Sequence, residues 1–171
     1  MTDNLVNKKL CCPELKIRPA TPDDAYNLKK IHTETYQKSY RGYLPDEYLD
    51  NLTIDDEVIE RTEKYLETTE CWLAIYQENP IAFAYITYPE TDVFEINALY
   101  VLPEYQKCGV GSMLVNYLSR NKKEKGLAKC VVWTMKFGPS LMFYEKMNFK
   151  RTFKEKTWKF NIPIIKLERK L

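Results

Sequence analysis

This chain of 171 residues has a single histidine, His32, and only five glycines. Its five cysteines, Cys11, Cys12, Cys71, Cys108 and Cys130, are odd in number and irregular in spacing, with no CxxC pair. A structural zinc site therefore has no support, no metal is expected, and the thiols read as free in a reducing compartment. No apolar run approaches the roughly 20 residues that a membrane helix needs. The first residues, MTDNLVNKKLCC, lack the apolar core of a signal peptide. The expectation is a soluble, cytoplasmic protein with no membrane partner. No repeat, low-complexity tract or Gly/Pro/Ser-rich linker divides the chain. What is present is a hydrophobic fraction of 44% beside 29% charged residues of mixed sign, enough for a core and unlike a disordered chain. The length is that of one ordinary domain. Residues 1–14 read as an N-terminal extension and residues 15–171 as a single domain.

The net charge is only +2, but it is segregated. Residues 1–119 carry 11 Lys+Arg against 20 Asp+Glu, a net of −9, and residues 120–171 carry 15 against 4, a net of +11. One reading is solvated faces that happen to separate. The other is a cationic substrate beside the first part and a polyanionic ligand beside the second. No RNA- or DNA-binding motif accompanies the basic part, so nucleic acid is not an expected partner.

Leu15–Arg18 reads as a strand stopped by Pro19. Thr21-Pro22-Asp23-Asp24 signals a helix start, with proline at the first helical position and acids in the first turn; that helix is expected to reach about Tyr40. A short helix opens at Pro45, and an acidic amphipathic helix covers Asp55–Leu66. Cys71–Gln77 and Ile81–Tyr88 read as strands joined in a hairpin at Glu78-Asn79-Pro80. Val93–Leu102 follows as a strand ended by Pro103. Gly109–Lys125 is a helix, Lys129–Met135 a strand and Pro139–Met147 a helix, and Phe149–Trp158 and Ile162–Leu167 close the chain as strands. Strand 93–102, helix 109–125 and strand 129–135 form a βαβ unit, whose crossover is expected to be right-handed.

The helix within that unit has an unusual beginning. Val110, Met113, Leu114, Tyr117 and Leu118 fall at i, i+3, i+4, i+7 and i+8, one apolar face. Lys122, Lys123 and Lys125 occupy the last turn before Gly126, where cations suit the dipole. The first turn, however, carries no acid: none occurs between Glu104 and Glu124. It carries instead two glycines, Gly109 and Gly111, which weaken a helix. An external anion on the free N–H groups answers both oddities. Glycine required only for tight helix–strand packing remains the alternative. A P-loop is excluded because GxxxxGK[ST] is absent. A Rossmann fingerprint lacks its third glycine, since position 114 is leucine.

Gln106-Lys107-Cys108-Gly109-Val110-Gly111, after Leu-Tyr-Val-Leu-Pro, resembles motif A of the GNAT superfamily of N-acetyltransferases, [QR]-x-x-G-x-[GA] following a strand. Phe143-Tyr144-Glu145-Lys146-Met147-Asn148-Phe149 is similar to the same superfamily's Phe-Tyr-x-x-x-Gly-Phe element. The likeness is strong over residues 93–150 and looser before. It implies an α/β (mixed α+β) GNAT fold: a central, mostly antiparallel mixed sheet of about seven strands, flanked by helices and splayed at the central strand. It implies acetyl-CoA as cosubstrate, with the pyrophosphate on backbone N–H groups of Lys107, Cys108, Gly109, Val110, Gly111 and Ser112, after Gln106. The pantetheine arm would pair with Leu99, Tyr100 and Val101 as an added strand does. Cys108 would act through its backbone. Tyr144 matches the tyrosine that protonates the departing thiolate and touches the coenzyme; tyrosine side chains are neutral at pH 7. As a residue alone, Tyr144 reads first as a core aromatic of the Pro139–Met147 helix, with Leu141 at i−3; the motif match reverses that reading. The superfamily's asparagine before this helix is missing from Lys136-Phe137-Gly138-Pro139-Ser140. Asn148 replaces its glycine, and asparagine is the next best residue for a left-handed helix end.

Glu95 and Asn97 share one strand face. In line with the resemblance, Glu95 is the candidate base, acting through water, with a solvated residue as its alternative. Tyr36, Tyr40 and Tyr43 with Asp46, Glu47 and Asp50 could hold a cation or form an ordinary amphipathic surface. The expected activity is transfer of acetyl to a small cationic amine such as a polyamine. Protein N-terminal or lysine acetylation and a non-catalytic acyl-CoA sensor remain alternatives, and a homodimer is left open.

Overall fold

A computed structural model describes residues 14–171; Cys11, Cys12 and the expected N-terminal extension up to residue 13 lie outside the described residues. Strands β1 (Lys16–Pro19), β2 (Glu70–Tyr76), β3 (Asn79–Glu90), β4 (Val93–Val101), β5 (Lys129–Met135), β6 (Lys150–Thr157) and β7 (Pro163–Lys170) alternate with helices α1 (Ala25–Ser39), α2 (Asp46–Asp50), α3 (Asp56–Thr68), α4 (Val110–Glu124) and α5 (Pro139–Lys146). The strands make one mixed seven-stranded sheet in the order β1-β2-β3-β4-β5-β7-β6. β1/β2, β5/β7 and β6/β7 are antiparallel. β4 and β5 are parallel, with Val93–Ile96 beside Lys129–Val132, as a βαβ unit requires.

The elements arise where the residue pattern placed them, with two local differences. β1 runs through Pro19, which lies opposite Trp72. It can do so because β1 is an edge strand, where a missing N–H disrupts nothing. The β2–β3 reversal falls earlier than expected, at Gln77 and Glu78, both with positive φ (47° and 65°). Two left-handed residues match the twist of a tight hairpin. Asn79 Nδ2 donates to Gln77 O at 2.8 Å, so Asn79 and Pro80 open β3 instead of forming the turn.

The described residues fall into two compact units. One comprises the chain to Tyr85 with Ala98–Val115; the other comprises Ile86–Asn97 with Asn116–Leu171. In the first, Leu28, Ile31, Leu73, Ile81 and Phe83 are buried. Its entry is pinned by Asp24, whose carboxylate accepts two hydrogen bonds from Arg18 at 2.7 and 2.8 Å and one from the Thr21 N–H at 2.9 Å. In the second, Phe94, Ile96, Cys130, Val131, Phe149 and Leu167 are buried. The apolar stripe of α4 buries Val110, Leu114 and Leu118, while Tyr117 lies at its exposed rim.

Both α4 and α5 end as helices do when a left-handed residue reverses the chain. After α4, Gly126 (φ 87°) donates to Lys123 O and Leu127 donates to Lys122 O. After α5, Asn148 (φ 63°) donates to Glu145 O and Phe149 donates to Tyr144 O. The paired bonds are those of a Schellman motif, and asparagine does at position 148 what glycine does at 126.

The Arg18–Asp24 pair should be visible in stability. Hydrogen bonding from Arg18, and then from Thr21, holds the Asp24 carboxyl below its ordinary value against the opposing effect of burial. A depressed carboxyl contributes stability above its unfolded pKa, near 3.9, and loses it as pH falls through the folded value. Asp24→Asn should therefore lower stability at pH 7 by about 1–3 kcal/mol. The gap in melting temperature from the parent should narrow below about pH 4. Thermal denaturation followed by circular dichroism across pH measures both.

Candidate functional site

The first unit holds the glycine-bearing turn. Pro103–Tyr105 forms a short 3₁₀ turn, and Gln106 follows in extended conformation. Lys107 (φ 61°) and Gly109 (φ 83°) then take left-handed backbone before α4 begins. Backbone of alternating hand is the geometry of anion-binding nests. The Met113 N–H donates to Gly109 O at 2.9 Å, so the N–H groups of Val110, Gly111 and Ser112 precede the first bond of the α4 ladder. No acid occupies that turn. Space for a Cβ at Gly109 is open, so glycine is required there by backbone conformation and not by crowding. The Cys108 Sγ lies 3.4 Å from Gln106 O, a local contact within the turn.

Gln106 ties this turn to the end of β4. Its Nε2 donates to Val101 O at 2.9 Å and reaches Ser39 Oγ at 3.2 Å. Thr35, buried on α1, donates to the same Val101 carbonyl at 3.2 Å. Both acceptor positions of that carbonyl are thus filled by side chains. A peptide-like arm running along Leu99–Val101 would have to use other strand groups. Tyr100 turns its ring into a cluster with Tyr36 (5.5 Å between centroids), His32 (5.4 Å) and Phe83 (5.4 Å). Burial raises the Tyr100 hydroxyl well above its ordinary pKa, so it stays protonated.

The second unit holds Glu95 and Tyr144. Tyr144 is 6% exposed, and its ring packs against Phe143 at 5.0 Å and Phe149 at 5.3 Å. Its carbonyl is the acceptor that closes the α5 end, so the turn at Asn148 sets both its backbone and its ring neighbour. Arg169 supports that end: it donates to Met147 O at 3.2 Å, lies 4.9 Å from the Phe149 ring, and bonds Ser119 and Asn116 on α4.

Glu95 is half-buried on β4. Asn97 Nδ2 donates to Glu95 Oε1 at 2.9 Å, and Thr87 Oγ1 donates to Asn97 Oδ1 at 2.8 Å. This chain orients the carboxylate, and it realises the shared face of positions 95 and 97. Burial raises the Glu95 pKa above its ordinary value, while Lys166, Lys156 and the Asn97 hydrogen bond pull it back. A carboxylate with a raised pKa is a better proton acceptor at neutral pH than an exposed one.

In the tyrosine–acid segment, two of the three acids share one cation. Arg41 pairs with Asp46 at 3.0 Å and also with Asp50. Tyr36 and Tyr40 stack at 4.6 Å, and burial raises both hydroxyls. Cys71 and Cys130 are buried thiols; burial pushes Cys130 up to about 12 and Cys71 also upward, which leaves them unreactive. Among the described residues no group of three or more His, Cys, Asp or Glu could hold a metal. No helix among them is long and apolar enough to cross a membrane.

Thr35, Trp133, Lys156 and Lys166 are absent from the sequence-derived set. Thr35 is one of several inward residues of an amphipathic helix. The other three meet only through strand order β5-β7-β6, in which the last two strands exchange places.

Comparison with known proteins accords with this geometry. A family model described as an acetyltransferase (GNAT) domain matches residues 67–151. A Mycobacterium tuberculosis protein named as a probable N-acetyltransferase is 28% identical over 87% of this chain and 90% of its own length. A Bacillus subtilis protein named as the uncharacterized N-acetyltransferase YuaI is 24% identical over 75% of this chain and 76% of its own. In fold, the chain is similar to the PaiA N-acetyltransferase of Thermoplasma acidophilum, solved with coenzyme A, at a TM-score of 0.76 and 20% identity over 92% of this chain and 99% of that one. With the motif, the seven-stranded mixed sheet and these relatives in agreement, the chain carries an acetyltransferase domain of the GNAT superfamily over residues 67–151.

Proposed function

We propose that the protein transfers acetyl from acetyl-CoA to a small-molecule amine by direct attack on the thioester. The observation that carries this reading is the acid-free start of α4, where the N–H groups of Val110, Gly111 and Ser112 precede the helical ladder. Those groups, with the left-handed turn at Lys107–Gly109, fit a pyrophosphate by the chemistry of helix N-termini and nests. Bound acetyl-CoA supplies an activated acyl group. Glu95, held by Asn97, accepts the proton that the amine nitrogen must lose, directly or through water. The Tyr144 hydroxyl gives a proton to the departing sulfur, and backbone N–H groups of β4 stabilise the oxyanion. The carbon–nitrogen bond forms as the carbon–sulfur bond breaks.

A polycationic acceptor such as a polyamine is a second reading, favoured by the net −9 of residues 1–119. The pairing of Asp46 and Asp50 with Arg41 weakens it locally.

Gly111→Asp would set a carboxylate against the pyrophosphate. A repulsion of only about 1.4 kcal/mol weakens binding tenfold, so calorimetry should show at least that loss for acetyl-CoA in a variant that melts like the parent. Unchanged affinity would remove the assignment. Tyr144→Phe keeps the ring against Phe149 and deletes the proton donor. The turnover number should drop by about 10²–10⁴ with coenzyme affinity nearly intact, as read by single-turnover CoA release. Glu95→Gln should reduce turnover over a similar range, about 10²–10⁴. In the parent, turnover should fall as acidification protonates Glu95, beginning at a higher pH than for an ordinary carboxylate because its pKa is raised. Asn97→Leu removes a hydrogen bond that favours the charged form. It should move that acid limb to higher pH still, in pH–rate profiles of both proteins.

A further inference from the structure

The sheet face that carries Glu95 is cationic. Register places Glu95 beside Val131, Val131 beside Glu168, and Glu168 beside Lys150. Cα partners across a ladder share a face, and residues two apart in a strand return to it. The same face therefore carries Lys129 and Lys170 as one pair, Trp133 and Lys166 as the next, and Lys156 beside Ile164. Five lysines, Lys129, Lys150, Lys156, Lys166 and Lys170, stand against two acids, Glu95 and Glu168. Of the acids, Glu168 is bonded to Lys129 at 3.1 Å. The Lys156 ammonium is held 4.1 Å from the centroid of the Trp133 ring. Lys166 and Lys156 are the charges that act on the Glu95 carboxylate. All of these residues belong to one compact unit.

A base placed among fixed cations selects its substrates. An acceptor with a second ammonium would bring that charge toward Lys166 and Lys156, and like-charge juxtaposition is how sites reject a partner. An acceptor with an anion beside its amine would neutralise them. The same lysines disfavour the protonated form of a nearby amine.

We propose that the acceptor is a small amine that also bears an anionic group, a carboxylate or a phosphate, and that Lys156 and Lys166 hold this anion beside Glu95. The inference rests on the acetyl-transfer reading and names its substrate class; it displaces the polycationic acceptor.

The test uses four acceptors of one chain length: β-alanine, aminopropyl phosphate, the neutral amide of β-alanine, and diaminopropane. CoA release is measured for the parent, for Lys156→Gln and Lys166→Gln, and for the doubly reversed Lys156→Glu/Lys166→Glu. Acetyl-CoA binding to each is followed by calorimetry, and folding by melting temperature. The parent should turn over one or both anionic amines with kcat/KM at least about tenfold above diaminopropane, in the range by which a focused charge raises local ligand concentration. Salt should reduce the advantage. Each neutralised variant should lose part of it, and the reversed variant should prefer diaminopropane. Phosphate preferred over carboxylate, or the reverse, identifies the anion. A parent that prefers diaminopropane overturns the inference. So does a preference that survives reversal in a protein melting like the parent, or a failure to turn over either anionic amine while acetyl-CoA binds; in these cases the coenzyme reading stands. A protein that binds no acetyl-CoA overturns that reading and the inference together.

Discussion

A helix that starts from left-handed backbone, with no acid in its first turn, leaves its leading N–H groups without side-chain acceptors of their own. That constraint governs the first unit. The turn before α4 needs Gly109 because φ near +83° strains any residue with a Cβ. It must also be held in place, since an irregular segment between β4 and α4 otherwise loses little by moving. Gln106 and Thr35 do this through a single acceptor, the Val101 carbonyl. The end of β4 and the turn are thereby coupled, so that strand and helix start move as one piece. The ring of Tyr100, packed against Tyr36, His32 and Phe83, anchors the strand as well.

In the second unit the corresponding device is a helix end. Asn148 reverses the chain after α5, and the bond from Phe149 to the Tyr144 carbonyl brings those two rings together. Arg169 braces the same turn from β7 and reaches α4 through Ser119 and Asn116. Burial lowers the Arg169 pKa, and several hydrogen bonds with a facing ring are what make a partly buried guanidinium tolerable. The ring of Tyr144 thus has little freedom, which is what the proposed proton donor needs.

Charge along the chain and charge around the candidate base tell different stories. Residues 1–119 are acidic as a whole, yet Asp46 and Asp50 of α2 serve Arg41. Glu95 lies within that acidic stretch, but its electrostatic neighbours, Lys156 and Lys166, come from the basic end of the chain. At distances below a Debye length of about 10 Å, local neighbours outweigh a summed charge.

Much was legible in the residues themselves. Apolar periodicity, Pro22, Pro139, Gly126 and the acid-free turn at Gly109 each act over a few residues, so element order, the ends of α4 and α5, and the candidate phosphate turn could be read directly. The shared face of Glu95 and Asn97 followed from the two-residue period of a strand. Where local cues competed, as at Gln77–Glu78, the turn began one residue and ended two residues earlier than expected, because hairpin twist and the Asn79 side chain decided it. What the sequence could not contain was neighbourhood across strands. Lys156 and Lys166 reach the surroundings of Glu95 only because β7 inserts between β5 and β6. Thr35 meets Val101 only because α1 packs where it does. Short-range backbone preferences determined the elements and the anion-ready turn; pairing across the strand order β4-β5-β7-β6, which no local preference encodes, decided which charges surround the candidate base.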